Sequence, residues 1–332
     1  MLGNFVNRHD VRRLGRALRR GRGVEILRKF ARPTMARTLE SWTTIERPPT
    51  NWWDLPEVVA RWNMLVSGDP GTDHVRYLAQ TYLAGRCALR GVALGCGTGV
   101  RELRWAKEGV FSRLDGYDLS PERIAHAAQQ ASESGFAEVL RFHQGDARTL
   151  ELDSETCDVV LCEGSLHHIS PLTAVLARIT RWLRPGGFLL VDDFIGPTRM
   201  QWTTRQLEVI NGLLQFLPAR LRARYGGGSL KDAIVRPSRL SMWLSDPSEA
   251  VESGRILPLL HEFFNVVEVR PYGGSVLHML LSEIAHNFRT DDPEAHRALR
   301  LCFEAEDLLI ASGDLASDFA VVVCRRRSAV QG

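Results

Sequence analysis

Side chains that bind polar groups or move protons follow several short apolar runs between residues 90 and 196. Asp118 follows the run 114–117, and Asp146 lies shortly after the run 138–142. Carboxylates and imidazoles follow the next two runs: Glu163, His167, His168, Asp192 and Asp193. Carboxylates accept charge-assisted hydrogen bonds from hydroxyl and amino groups, and both groups can act as general bases. The spacing therefore predicts a site for a polar ligand with candidate bases beside it.

A glycine-rich turn precedes all of these side chains. The apolar run 92–94 leads into residues 95–99, which contain three glycines, and a helical pattern follows at once. Glycine lets the backbone turn tightly or approach a ligand, and a helix that opens behind such a turn presents free N–H groups. Asp118 lies about twenty residues further on, where a ribose-binding acid belongs in a nucleotide-binding βαβ unit. The turn and Asp118 together predict a nucleoside site.

The elements that position these residues alternate between strands and helices, which predicts a parallel sheet with helices on both faces. The predicted strands of this part are 90–94, 114–117, 138–142, 157–162 and 188–191. The alternation ends after Gly196, and two more strands are predicted at 266–269 and 319–324. A helix is predicted from 247 to 264. We therefore expect an α/β fold with a mostly parallel, seven-stranded sheet.

The chain divides into five predicted segments. They are a basic arm and linker (1–50), an N-terminal helical extension (51–87), the ligand-binding core (88–196), a helical and loop insertion that caps the substrate (197–262), and the C-terminal part of the sheet with inserted helices (263–326). Residues 1–37 contain eleven lysines and arginines but only two acids. For this arm a membrane surface or an acidic partner stays open as a binding partner.

Composition excludes several classes of protein. The six cysteines show no CxxC pair and no metal-ligand spacing, so we expect reduced thiols, a cytoplasmic protein and no metal. No apolar run reaches about 18 residues, so no transmembrane helix is predicted. The formal net charge is +3, which leaves about −6 outside the basic arm and opposes binding to a phosphate backbone. Nucleic acid is therefore not the expected partner.

Residues 88–196 resemble a class I S-adenosylmethionine-dependent methyltransferase. The matching stretches are 94–99, 117–120, 145–147, 157–160 leading into 166–168, and 183–187. The resemblance implies a Rossmann-like fold, S-adenosylmethionine as the cofactor and S-adenosylhomocysteine as its product. The chain departs from the pattern at Ala93, where the family often has an acid.

The resemblance also implies which residues contact the cofactor. For the methionine part they are Gly95, Cys96, Gly97 and Thr98, and for the ribose Asp118 and Leu119. For the adenine they are Gly145, Asp146 and Ala147, and near the sulfonium Glu163 and Gly164. Methyl transfer from a sulfonium is an in-line displacement, so positioning and exclusion of water supply most of the rate. A hydroxyl acceptor additionally needs a base near its proton.

Three residues are candidates for that base: His167, His168 and Asp193. Four more are candidates for contact with the acceptor: Arg61, Trp62, Asp192 and His278. Residues 162–165 lack the D/N-P-P-Y/F element of methyltransferases that act on exocyclic amines of nucleic acids. Short stretches outside the core resemble a bacterial subgroup suspected in glycan or natural-product modification. We therefore expect O-methylation of a small molecule or a sugar.

Other functions stay open beside this one. The chain could bind S-adenosylmethionine as a scaffold without catalysis, or methylate a nitrogen or a carboxylate. A dinucleotide-dependent oxidoreductase is a further alternative, although it more usually has the spacing G-x-G-x-x-G instead of the G-x-G-x-G found at 95–99. A homodimer also stays open.

Overall fold

The computed structural model describes residues 5–6, 34–42 and 48–327. Most of the basic arm predicted at 1–37 lies outside the described residues. No helix in the described part of the chain is long and apolar enough to cross a membrane.

Seven strands form one sheet in the order β3-β2-β1-β4-β5-β7-β6. The strands are β1 (Leu89–Leu94), β2 (Phe111–Asp118), β3 (Leu140–Gln144), β4 (Cys157–Glu163), β5 (Leu183–Phe194), β6 (Phe264–Gly273) and β7 (Phe319–Arg326). The first five strands pair in parallel, whereas β7 is antiparallel to both β5 and β6. The structure therefore confirms the predicted mostly parallel, seven-stranded sheet.

Helices cover both faces of this sheet. They are α1 (Thr34–Trp42), α2 (Pro56–Ser67), α3 (His74–Tyr82), α4 (Val100–Lys107), α5 (Pro121–Glu133), α6 (Leu172–Trp182), α7 (Thr204–Phe216), α8 (Arg239–Ser245), α9 (Ile256–Phe263), α10 (Leu277–Leu281) and α11 (Pro293–Ala311). Shorter 3₁₀ turns occur at Trp52–Asp54, Leu166–His168, Thr198–Met200, Ala219–Arg222, Ser253–Arg255 and Ala285–Phe288.

The central strand β4 shows why the sheet is buried on both faces. Successive side chains of a strand point to opposite faces. Val159 and Leu161 pack in one core, which includes residues of α2, α3, α10 and α11, and Val160 and Cys162 pack in another with α6 and α9. A continuous apolar run is what such a doubly covered strand requires.

The topology places the polar strand ends together. β1 lies between β2 and β4, so the order of the strands reverses there. Ligands of open α/β sheets bind outside the carboxyl ends of the strands at such a switch point. The glycine turn follows β1, Asp118 ends β2, and Glu163 ends β4. All three features therefore lie at the same edge of the sheet.

The insertion after β5 differs from the prediction. A helix was expected from 247 to 264, but residues 246–252 form turns and α9 begins only at Ile256. The turns are fixed to the sheet edge, because the backbone N–H of Val251 donates to the carbonyl of His167 at 2.9 Å. We call residues 246–252 the strap. It brings a distant part of the chain to the end of β4.

Candidate active site

A cavity of about 760 Å³ opens at the carboxyl ends of β1, β2, β3 and β4. This volume lies within the range of roughly 300–1,000 Å³ that is usual for small-molecule sites. Seven of the residues predicted to contact the cofactor line it: Gly95, Asp118, Leu119, Gly145, Asp146, Ala147 and Gly164. The strap and two threonines of α1, Thr34 and Thr38, complete the wall. The strand ends therefore meet around one cavity.

The glycine turn at the floor of the cavity requires glycine for two reasons. Gly95 and Gly97 have φ angles of 70° and 55°, in the left-handed region that disfavours side chains. A Cβ atom on Gly95 would also lie 2.6 Å from the Cβ atom of Ser165, whereas one on Gly97 would meet only Arg123, at 3.6 Å. The turn thus approaches the loop after β4 closely and leaves backbone exposed towards the cavity.

Asp118 connects this turn to the end of β2. Its Oδ2 atom accepts from the backbone N–H of Gly97 and its Oδ1 atom from that of Ser120, both at 2.9 Å. The residue is buried but lines the cavity. Because an ionised carboxylate has about four acceptor positions, lone pairs remain for the hydroxyls of a ribose. Asp118 can therefore contact the ribose, as proposed, while it also accepts hydrogen bonds from the backbone of Gly97 and Ser120.

Asp146 already has a partner. The Arg148 guanidinium donates to both carboxylate oxygens, through Nη2 at 2.6 Å and Nε at 2.9 Å. Burial alone would raise the pKa of Asp146, but the hydrogen bonds from Arg148 hold that pKa below its ordinary value. Asp146 is therefore a carboxylate at neutral pH. It lines the cavity, but N–H groups of Arg148 already occupy most of its acceptor positions, so its contact with an exocyclic amine stays a prediction.

Glu163 and Asp192 lie in a buried polar network beside β4 and β5. The Oε1 atom of Glu163 is 2.7 Å from Nε2 of His74, and Asp192 accepts from the hydroxyl of Tyr272 at 2.6 Å. Arg101 donates to the carbonyl of Glu163. Neither predicted contact residue lines the cavity. Their contacts with the cofactor and the acceptor stay predictions.

The charges of this network favour an ion pair. Burial lowers the pKa of His74, but Asp192 and Glu163 outweigh it, so the pKa of His74 lies above its usual value. Burial raises the pKa of Glu163, but His74 outweighs it, so the pKa of Glu163 lies below its usual value. Both shifts favour the pair of a protonated His74 and an ionised Glu163.

Asp193 holds His167 in one orientation. Its Oδ1 atom is 2.5 Å from Nδ1 of His167, and its two oxygens also accept from the backbone N–H groups of Ser165, Leu166 and Phe194 at 2.7–3.0 Å. Burial lowers the pKa of His167, but Asp193 outweighs it and the net shift is upward. Because the acceptor positions of Asp193 are taken, it acts here as the residue that orients His167. Its prediction as a base stays a prediction.

His168 and Glu249 lie next to His167 and line the cavity. The rings of the two histidines are 4.0 Å apart, and Oε1 of Glu249 is 3.8 Å from Nε2 of His167. Burial and the neighbouring His167 lower the pKa of His168 well below its usual value, whereas burial raises the pKa of Glu249. These three residues offer ligand atoms that all lie within 4.8 Å of one another. We call them the histidine–glutamate cluster.

The other predicted acceptor residues lie away from the cavity lining. Arg61 pairs with Glu306 at 3.0 Å and with Asp307. Trp62 packs edge-on against Trp52, and the half-buried His278 lies between aromatic rings. Burial lowers the pKa of His278 to about 4. Three residues predicted for the cofactor, Cys96, Gly97 and Thr98, likewise do not line the cavity.

Sequence reasoning missed three residues of the site. Glu249 lies on the strap, His74 on α3, and Arg148 two residues after Asp146. Only Arg148 could have been predicted from the sequence, since a cation two residues after a strand-end carboxylate can form an ion pair with that carboxylate. The other two reach the site through contacts between residues that are far apart in the chain, which no local pattern records.

A mostly parallel sheet with a glycine turn after β1 and an acid at the end of β2 defines a nucleoside-binding α/β protein. Residues 92–191 match the methyltransferase domain family. This part of the chain is a methyltransferase domain of the class I, Rossmann-like, S-adenosylmethionine-dependent type, for which S-adenosylmethionine is the cofactor.

Two curated relatives illustrate the family. Erythromycin 3''-O-methyltransferase of Saccharopolyspora erythraea is 30% identical over 102 residues, 31% of this chain and 33% of that protein. Ubiquinone biosynthesis O-methyltransferase of Methylococcus capsulatus is 31% identical over 170 residues, 51% of this chain and 65% of that protein. The chain thus spans less than two thirds of either relative. A solved S-adenosylmethionine-dependent methyltransferase from Mesorhizobium loti is 19% identical with a TM-score of 0.44, and the match covers 77% of this chain and 99% of that chain.

Proposed function

We propose that this protein transfers a methyl group from S-adenosylmethionine to a hydroxyl oxygen of a small molecule or a sugar. The observation that carries the proposal is the histidine–glutamate cluster at the wall of the cavity, next to the loop after β4. A hydroxyl must lose its proton to become a good nucleophile, and imidazoles and carboxylates promote that loss. The names of the two curated relatives, both O-methyltransferases, also support an oxygen acceptor.

The cavity fits the cofactor. Gly95 keeps the turn after β1 free of a side chain, Asp118 has lone pairs for ribose hydroxyls, and Asp146 lies at the cavity wall where the adenine would bind. The loop at Gly164 and Ser165 would lie by the sulfur. When bound, the cofactor supplies a methyl group on a sulfonium. These contacts bind and orient it so that the methyl group faces the acceptor.

The remaining residues act on the acceptor. Asp193 holds the Nδ1 side of His167, so the Nε2 side is presented to Glu249, which lines the cavity where the acceptor would bind. The strap forms part of the cavity wall and limits the access of water on that side, which strengthens electrostatic interactions there. The cluster therefore promotes loss of the hydroxyl proton, and the strap reduces competition of water for the methyl group.

The test uses the full chain with a panel of hydroxylated metabolites and sugars, and measures formation of S-adenosylhomocysteine. We expect turnover with at least one acceptor. Asp118→Ala should weaken cofactor binding about tenfold or more, since a charge-assisted hydrogen bond contributes roughly 1.5–3 kcal/mol. Asp115→Ala is the matched control, because Asp115 lies on the same strand but pairs with Arg113 and His143. Cofactor binding without turnover on any acceptor would instead support a non-catalytic binding protein.

A further inference from the structure

We propose that His167, His168 and Glu249 bind one divalent transition-metal ion, and that this ion binds the acceptor's hydroxyl oxygen. The inference rests on the proposed O-methyl transfer and specifies how the hydroxyl loses its proton. The three residues come from the turn after β4 and from the strap, about 80 positions apart in the chain. Their ligand atoms nevertheless lie within 4.8 Å of one another.

One pair of these atoms is spaced almost as around a bound ion, and the other pairs lie within 4.8 Å. Bonds of about 2.0–2.2 Å to a tetrahedral ion place its ligand atoms about 3.4 Å apart. The Nε2 atom of His167 and the Oε1 atom of Glu249 are 3.8 Å apart. Shifts of a few tenths of an ångström would bring this pair to ligand distance. A rotation of the Glu249 side chain supplies such a shift, since the residue is only partly buried.

The surroundings of His167 are those of a metal ligand. Ligating histidines almost always donate their second ring N–H to a carboxylate or a carbonyl, which fixes the ring and its tautomer. The Nδ1 atom of His167 is 2.5 Å from Oδ1 of Asp193, and three backbone N–H groups hold that carboxylate in place. The lone pair of Nε2 is thereby directed towards Glu249.

Glu249 is also held in place. The Arg199 guanidinium donates to the carbonyl of Pro247 at 2.6 Å and to that of Glu249 at 3.3 Å. The backbone N–H of Val251 donates to the carbonyl of His167 at 2.9 Å. These hydrogen bonds to the backbone of the strap position the Glu249 carboxylate near the two histidines, and none of them involves the carboxylate itself. Such support leaves the side chain available to a ligand.

The donor set indicates the class of ion. Two imidazoles and one carboxylate suit borderline ions such as Zn²⁺, Mn²⁺ or Co²⁺, whereas Mg²⁺ and Ca²⁺ prefer oxygen ligands alone. Three protein ligands leave at least one coordination position open, as in catalytic sites. Because His168 and Glu249 line the cavity, that position faces the bound molecules.

The hydroxyl oxygen binds the ion, its O–H bond breaks, and the proton passes to solvent water. A lone pair of the oxygen then forms a bond to the methyl carbon, and the carbon–sulfur bond breaks with its electron pair staying on sulfur. The products are a methyl ether and the thioether S-adenosylhomocysteine. No oxidant or reductant is required.

The test begins with the metal-free full chain and a titration with Co²⁺ alone, followed by visible absorption. We expect one Co²⁺ per chain with the d–d bands of a site that has imidazole ligands. Glu249→Gln and His168→Gln should each weaken Co²⁺ binding at least tenfold. The matched controls are Glu262→Gln and His261→Gln, neighbouring exposed residues on α9, and they should leave binding unchanged. If His168→Gln fails to fold, the affinity of Glu249→Gln for Co²⁺ tests the proposal alone.

Two measurements on the same samples separate this inference from the proposed function. If metal-free protein methylates its acceptor at the full rate, the role of the ion is overturned and O-methyl transfer stands. If Co²⁺ binds equally well to Glu249→Gln, the metal site itself is overturned. If Co²⁺ binds at the cluster but S-adenosylhomocysteine does not bind, as measured by calorimetry, the site stands and its role in methyl transfer is overturned. If added Zn²⁺ or Mn²⁺ restores turnover to the metal-free protein, both are supported.

Discussion

The Nδ1 atom of His167 lies 2.5 Å from the Oδ1 atom of Asp193, and this pair joins the ends of β4 and β5. Asp193 is almost fully buried and accepts from three backbone N–H groups as well as facing the imidazole. The side chain therefore has two tasks. It satisfies the backbone at the exit of β4, and it fixes which nitrogen of His167 faces Glu249.

Asp193→Asn should affect both the hydrogen bonding of the backbone and the orientation of His167. The amide NH₂ group cannot accept a hydrogen bond, so at least one buried backbone donor loses its partner, at a cost of about 1–3 kcal/mol in the free energy of unfolding. Methyl transfer should fall further than cofactor binding, because the orientation of His167 is lost. Urea unfolding, calorimetry and turnover measure the three effects. Asp314→Asn is the control, since it alters an exposed ion pair with Arg205 that contributes at most about 1 kcal/mol.

Gly95→Ala should lower the affinity for S-adenosylhomocysteine and also the stability. The left-handed conformation of Gly95 costs a residue with a side chain roughly 1–2 kcal/mol. The added Cβ atom would in addition lie 2.6 Å from that of Ser165, so the turn or the loop after β4 must move. Because both line the cavity, we expect a loss of affinity of about tenfold or more, measured by calorimetry.

Gly135→Ala separates these two effects. Gly135 has a φ of +76° but nothing within 4 Å of an added Cβ atom, and it lies just after α5. This variant should lose a similar roughly 1–2 kcal/mol of stability while its affinity for S-adenosylhomocysteine is unchanged. An equal loss of affinity in both variants would show that Gly95 matters only through backbone strain.

The pair of His74 and Glu163 should make stability depend on pH. The pKa of His74 is raised in the folded state, so its contribution is full below the unfolded value of about 6.5 and is lost as the pH rises through the folded value. The pKa of Glu163 is lowered, so its contribution is present above its unfolded value of about 4.3 and is lost as the pH falls through the folded value. The pair therefore stabilises most between these two unfolded values.

His74→Gln tests this prediction. We expect it to lower the free energy of unfolding by about 1.5–3 kcal/mol near pH 6, because a charged, buried hydrogen bond is lost. The difference from the unmodified protein should shrink as the pH rises above about 6.5. Urea unfolding between pH 5.5 and 9 measures it, with His261→Gln on the exposed side of α9 as the control. A difference that stays constant over this range contradicts an ion pair between His74 and Glu163.

The sequence predicts the sheet and the cofactor side of the cavity well because both depend on local patterns. A buried strand is an apolar run, and a residue at its carboxyl end, such as Asp118, must lie at the ligand edge of a parallel sheet. Gly95 and Asp146 follow from the same reasoning, and both line the cavity. Each of these positions is determined by one strand and the few residues after it, and it does not depend on contacts between distant segments.

The acceptor side does not follow from local patterns. Asp193 and His167 both looked like bases, and only the folded chain shows that one orients the other. The absence of metal-ligand spacing among the cysteines predicted no metal, but His167, His168 and Glu249 come together only because the strap returns to the end of β4. A site assembled across long sequence separations leaves no periodic signal.

Arg199 fixes the strap, and Arg199→Ala should release it. Its guanidinium donates to the carbonyls of Pro247 and Glu249, and its backbone N–H donates to the carbonyl of Ala250. The backbone bond survives the substitution, so the strap should loosen rather than unfold. We expect amide hydrogen exchange within 246–252 to accelerate about tenfold, since loss of a charged hydrogen bond corresponds to roughly 1.5–3 kcal/mol of local stability. Turnover should fall because water enters the cavity.

Arg205→Ala is the control for this substitution. Arg205 lies on α7 and makes exposed ion pairs with Asp314 and Glu208, so its loss should change neither the exchange of 246–252 nor turnover. Affinity for S-adenosylhomocysteine should change less in Arg199→Ala than in Gly95→Ala, because the glycine turn and Asp118 are untouched. If exchange of the strap accelerates while turnover stays constant, the strap does not exclude water from the reaction. If exchange itself does not change, the hydrogen bonds of the Arg199 side chain do not hold the strap.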